Sequence, residues 1–169
     1  TRYPLVTGVQ TCALPIFSDM GGPFRDVGGP GQRVAAELAI QDFGGTVLGR
    51  PVVVRQADGQ NRADISSQIA REWIDREGVD ALGDGAASSA GLAIQEVCRE
   101  RKRIYLCTGP ATSDMTGSRC SPFGMQFGYD TYALSHGTAT ALTKAGGDTW
   151  FFITSDYAFG HALERDASN

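Results

Sequence analysis

From residue 17 onward, short runs of consecutive apolar residues alternate with longer stretches in which apolar residues recur every three to four positions. Buried strands covered by amphipathic helices give this pattern, which predicts an α/β protein with a parallel sheet. The stretch GQRVAAELAIQDFGG predicts a helix with Val34, Leu38 and the Ala35–Ala39 pair on one face, closed by Gly44 and Gly45. RPVVVRQAD, at 50–58, predicts a strand. In RADISSQIAREWIDREG, Ile65, Ile69 and Trp73 stand four apart with Ile74 beside them, so a helix is expected, ending at Gly78 as its C′ residue.

The next unit is a strand near 79–83, the loop DGAASSAG and a helix through Leu92, Ile94 and Val97. RIYLCTG predicts a third strand, leading into the loop PATSDMTGSRCSP, too rich in Gly, Ser, Pro and Asp for regular structure. FGMQFGY predicts another strand, DTYALSHGTATALTKAGG a helix stopped by Gly146 and Gly147, DTWFFITSD a buried strand, and AFGHALERD the start of a further helix. That helix is still open at Asn169, as expected of a truncated reading frame.

The first residues, TRYPLVTGVQTCALPIF, do not fit this pattern. Arg2 is the only charge, and Pro4, Gly8, Gln10 and Pro15 break any apolar run of the roughly 7–15 residues that a secretory signal needs. The stretch Val6–Ile16 resembles the in-frame translation of a short-read sequencing adapter, and Thr1, Arg2, Tyr3 and Phe17 fit the same frame. Residues 1–16 are therefore expected to be foreign, with the natural first strand largely lost. In a flavodoxin-like sheet of order 2-1-3-4-5 that strand is internal. Its slot must be filled by CALPIF or left empty, and Pro15 is a poor occupant because it cannot donate a ladder hydrogen bond.

Composition narrows the function. The chain has 15 Lys and Arg against 19 Asp and Glu, a net charge of −4, and 41% hydrophobic residues. No run approaches the roughly 18 apolar residues of a membrane span. RERKR at 99–103 is the densest basic run and closes a predicted helix, so nucleic acid is not an expected partner. Cys98, Cys107 and Cys120 lack metal-ligand spacing and are odd in number. One bridge or three free thiols are both open.

In open parallel sheets, ligands bind beyond the carboxyl ends of the strands. Three predicted loops lie there. In DGAASSAG, Ser88 and Ser89 stand at a helix N-terminus, where hydroxyls and free N–H groups suit a carboxylate or phosphate, or simply cap the helix. In TGPATSD, Thr108, Thr112 and Ser113 follow a strand, and Pro110 removes one backbone donor. In TSDYAFG, Tyr157 offers a ring with a hydroxyl at a strand end, suited to an amphipathic ligand or to half-buried packing. Catalytic motifs are absent: there is no GxSxG, HExxH, CxxC or GxxxxGK[ST], GGPGQ does not satisfy GxGxxG, and His136 and His161 stand beside no nucleophile motif.

Residues 18–169 resemble the N-terminal part of a substrate-binding protein of the branched-chain or hydrophobic amino-acid ABC importer family, with the type I periplasmic binding protein fold. The resemblance is carried in order by SDMGGPFRDVGGPG, DFGGTVLGRPVVV, ADGQNRADISSQIAREW, QEVCRERK, TGPATSDMTGSRCSP, YDTYALSHGTA and WFFITSDYAFGHALERD. It implies a three-layer αβα lobe over 17–125 and the truncated start of a second lobe over 126–169. It also implies ligand contacts from Ser88, Ser89, Pro110, Thr112 and Tyr157, no cofactor, no turnover, and delivery of the ligand to a membrane permease. The ligand would be a small amino acid, aromatic acid or amide, and the setting periplasmic or lipid-anchored outside the cell. Ala87 and Val27 depart from the family, which tends to carry a bulkier polar residue and an aromatic there. A ligand-sensing regulatory domain of the same fold and a Rossmann-like nucleotide-dependent enzyme are the alternatives.

Overall fold

The computed structural model describes residues 12–169, so most of the adapter-like stretch, residues 1–11, lies outside the described residues. Six strands form one sheet: β1 (Cys12–Ser18), β2 (Thr46–Val47), β3 (Arg50–Asp58), β4 (Ala81–Asp84), β5 (Ile104–Cys107) and β6 (Gly124–Gln126), in the order β2-β3-β1-β4-β5-β6. The two-residue β2 is an antiparallel edge hairpin on β3, and every other pairing is parallel. Without β2 the order is the expected 2-1-3-4-5.

The helices are α1 (Arg25–Gly28), α2 (Pro30–Asp42), α3 (Ala63–Glu77), α4 (Ser88–Arg101), α5 (Thr131–Lys144) and α6 (Ala158–Ser168). α3 ends as its sequence predicts, with Gly78 in the left-handed conformation at φ +68°. Together α3 and α4 cover one face of the sheet, and the core lies beneath them: Phe17, Trp73, Leu82, Ile94, Val97 and Tyr105 are all buried there. The Phe17 and Trp73 rings meet at 4.9 Å. Side chains alternate along a strand, so Ile16 and Ser18 face the opposite side, where Ser18 hydrogen-bonds Gln32 of α2.

Three expectations need correction or refinement. The slot of the first strand is filled: CALPIFS forms β1, with Ile16 and Phe17 buried, Pro15 included. β1 pairs with β3 along its whole length but with β4 only at Ile16 and Phe17, so this second ladder begins just past the proline nitrogen, which has no hydrogen to give. The stretch DTWFFITSD is not a buried strand. Residues 148–154 have no regular structure, and Phe151 and Ile153 are 89% and 95% exposed. An apolar run becomes a strand only beside a pairing partner, and no strand among the described residues lies next to this one. Finally, α2 forms as predicted but buries no residue, and its Val34 and Leu38 are each 55% exposed.

α6 is anchored to the loop after β5 by a polar cluster around Asp166. The carboxylate accepts hydrogen bonds from Ser113 Oγ and Thr131 Oγ1, each at 2.6 Å, and from Arg165 Nε at 3.1 Å. Arg165 also reaches Asp114 at 3.0 Å. Burial pushes the Asp166 carboxyl up in pKa, but these donors outweigh it and hold the group below its ordinary value.

Candidate functional site

The carboxyl ends of β1, β4 and β5 open into a cavity of about 290 Å³ that also receives the start of α6. Phe24, Tyr129, Tyr157 and Phe159 supply aromatic walls, and Gln32, Ser88 and Thr108 supply polar groups. The Phe24 and Tyr157 rings lie 6.3 Å apart, and Tyr157 and Phe159 stack at 6.0 Å. Partial burial raises the Tyr157 phenol pKa, so it remains a neutral hydrogen-bonding group.

Ser88 is the first residue of α4, whose cap residue Ala87 offers no side-chain hydrogen bond. The first turn of a helix has N–H groups without intrahelical partners, and its dipole favours an anion. Neither serine caps the helix. Ser88 Oγ accepts from Ala111 N–H at 3.3 Å, and Ser89 Oγ accepts from Ala158 N–H at 3.4 Å. The first bond ties α4 to the loop after β5, the second to α6.

Of the five residues expected to contact a ligand, Ser88 and Tyr157 line the cavity; Ser89, Pro110 and Thr112 stand outside its wall. Pro110 is packed against Gly91 of α4 and its carbonyl accepts from Gln126 Nε2 at 3.1 Å. Thr112 is fully buried and its Oγ1 accepts from Asp114 N–H at 3.3 Å, capping a short 3₁₀ turn. Their neighbours Thr108, Gly109 and Ala111 reach the cavity instead.

Phe24, Gln32, Tyr129, Phe159 and the buried Asp84 are additions that sequence reasoning did not pick out. An acidic residue closing the apolar strand ALGD was a visible signal for Asp84. Its Oδ1 accepts from Gly85 N–H at 2.8 Å and Gly109 N–H at 3.0 Å, and its Oδ2 accepts from Gln32 Nε2. Desolvation raises its pKa and these donors, with the Thr108 hydroxyl, only partly offset the rise.

His136 stacks on Tyr132 and His161 pairs with Asp156, both at the surface. The cysteines among the described residues are all free; Cys98 and Cys107 are buried, with thiols pushed up to about 12, which makes them inert. No cluster of three or more metal-ligating side chains occurs among the described residues, and no helix there is long and apolar enough to cross a membrane.

A family model described as periplasmic binding protein matches residues 12–169. The match therefore includes Cys12–Ile16, the part of the adapter-like stretch that forms β1. A periplasmic binding protein from Burkholderia mallei is 42% identical with a TM-score of 0.91, over 95% of this chain and 43% of that one. A branched-chain amino-acid ABC transporter ligand-binding protein from Burkholderia xenovorans is 34% identical with a TM-score of 0.80, over 94% and 42%. A solute-binding protein from Rhodopseudomonas palustris in complex with 4-hydroxybenzoate shares the fold at 20% identity and a TM-score of 0.82, over 94% and 43%. This chain thus spans less than half the length of these solved relatives. No curated protein matches it.

Proposed function

The chain belongs to the periplasmic binding protein family, and on that premise we propose that it carries the first-lobe half of a ligand site in the solute-binding component of an ABC importer. Periplasmic or lipid-anchored outside the cell, the protein captures a small amino acid or a related carboxylate or amide and releases it unchanged to a membrane permease. One observation carries this reading: a cavity at the carboxyl ends of β1, β4 and β5 joins the first turn of α4, with Ser88, to four aromatic side chains. Helix-terminal N–H groups and a serine hydroxyl suit a carboxylate. Aromatic walls suit an apolar or ring-bearing remainder.

Capture without turnover fits the family, whose solved relatives above are described as binding proteins. Among the described residues that line the cavity, no nucleophile stands beside a base, and neither His136 nor His161 is one of them. Capture then proceeds by closure of a second lobe onto the bound ligand through hinge motion. The neighbours in solved structures support the ligand class, since one is described with 4-hydroxybenzoate and another with Leu.

Calorimetric titration of the full-length protein carrying this segment, with leucine, benzoate-type acids and short amides, tests the reading. Saturable heat from one class, with the ligand recovered unchanged, is expected. No heat from any, or conversion of the ligand, overturns it. Uptake that fails when the neighbouring permease is deleted separates importer from sensing domain.

A further inference from the structure

We propose that Gln32, held by the buried Asp84, and Thr108 form a second polar subsite that reads a hydroxyl group on a ring-bearing ligand. The inference rests on the ligand-capture reading above and concerns the same cavity.

Hydrogen-bond direction here is fixed from the far end of the relay: the Gly29 carbonyl only accepts, so the group facing it at 3.2 Å is Gln56 Nε2, whose other proton goes to Ser18 Oγ and leaves that hydroxyl to donate to Gln32 Oε1. Asp84 is 8% exposed and its carboxylate receives three donors: Gly85 N–H, Gly109 N–H and Gln32 Nε2. The side of Gln32 that faces Asp84 must therefore be its NH₂. Its Oε1 accepts from Ser18 Oγ at 2.8 Å, and Ser18 Oγ in turn accepts from Gln56 Nε2 at 2.7 Å. The relay from Gln56 through Ser18 and Gln32 to Asp84 thus runs in one sense only.

Two polar groups reach the cavity. An amide nitrogen has two protons, and only one of those on Gln32 Nε2 goes to Asp84; among the described residues no acceptor takes the other. Thr108 lies in the same wall, and the lone pairs of its hydroxyl oxygen can accept from a ligand hydroxyl. Both residues line the cavity. The wall therefore presents one donor and one acceptor, the complement of a group that does both.

The aromatic side chains decide between ligand frameworks. Phe24, Tyr129, Tyr157 and Phe159 form walls against which a flat ring packs. With Ser88 holding a carboxylate, an aromatic acid with a ring hydroxyl meets both polar features. Asp84 touches no ligand. It is a positioning residue, held with φ +58° in a conformation that non-glycine residues seldom adopt.

The test compares benzoate with 3- and 4-hydroxybenzoate by calorimetry on the full-length protein carrying this segment, as wild type, Gln32→Leu, Thr108→Val and Asp84→Asn. Wild type is expected to prefer one hydroxybenzoate by about tenfold, the scale of one or two net hydrogen bonds. In each variant that preference collapses, with a much smaller loss in benzoate affinity. A structural role alone would weaken all three ligands together and leave the ratio intact. Equal binding of the three acids by wild type, an unchanged ratio in the variants, or binding of leucine with no aromatic acid bound overturns the subsite while capture stands. If no carboxylate binds wild type at all, capture itself fails.

Discussion

Ser88 and Ser89 are adjacent in sequence but do different work. Ser88 lines the cavity and Ser89 braces α6 through Ala158 N–H. A hydrogen bond to a charged group contributes about 1.5–3 kcal/mol, so Ser88→Ala should weaken carboxylate binding by about tenfold or more. Ser89→Ala should cost less affinity, and titration of both variants checks the order. Buried carboxylates set the pH response. The Asp166 carboxyl sits below its unfolded value of 3.8, so its stabilisation is present above that pH and is lost as pH falls through the folded value. Asp166→Asn should lower stability by roughly 2 kcal/mol near neutral pH, and the gap from wild type should close on acidification, as denaturant melts across pH would show. Asp84 has the opposite sign. Its folded pKa is raised, so its contribution is complete below 3.8 and lost as pH rises through the folded value. Asp84→Asn should therefore gain on wild type in stability as pH increases.

At the scale of elements, the tightest joint beside the site is between α4 and the loop after β5. A Cβ on Gly91 would lie 2.4 Å from Pro110 Cγ and 2.6 Å from its Cβ, and a proline ring cannot swing aside. Gly91→Ala should cost about 1–3 kcal/mol and shift Gly109 and Ala111 at the cavity wall, lowering both melting temperature and ligand affinity. This level also divides what the sequence makes legible from what it does not. α3, α4, β3 and the 2-1-3-4-5 order were readable because each apolar face meets a neighbour within the chain. Residues 148–154 and the Val34–Leu38 face of α2 carry the same kind of apolar signal, yet periodicity records only what a segment can bury, not whether a partner is present. The site divides likewise. Ser88 and Tyr157 were visible at predicted strand ends, whereas Gln32 sits on a helix whose pattern says nothing of a cavity, and its role depends on Asp84, 52 positions away.

For the molecule as a whole, β1 poses the sharpest question. Residues that resemble translated adapter occupy the internal slot of the sheet, with Pro15 inside it and only a two-residue ladder to β4. Trp150, Phe151, Phe152 and Ile153, consecutive in the chain, are at the same time exposed, and a contiguous apolar patch invites association. The isolated 169-residue chain is expected to be unstable or aggregated. A cooperative, reversible thermal transition in a monodisperse sample would count against this. The central claim, that this cavity holds a carboxylate at the first turn of α4, is tested most directly by a crystal structure of the full-length protein with a ligand found by titration. The account predicts a ligand carboxylate oxygen within about 3 Å of Ser88 Oγ and of a first-turn N–H, with the remainder of the ligand against Tyr157. A ligand bound elsewhere, or one lying in this cavity with its carboxylate turned away from α4, would contradict it.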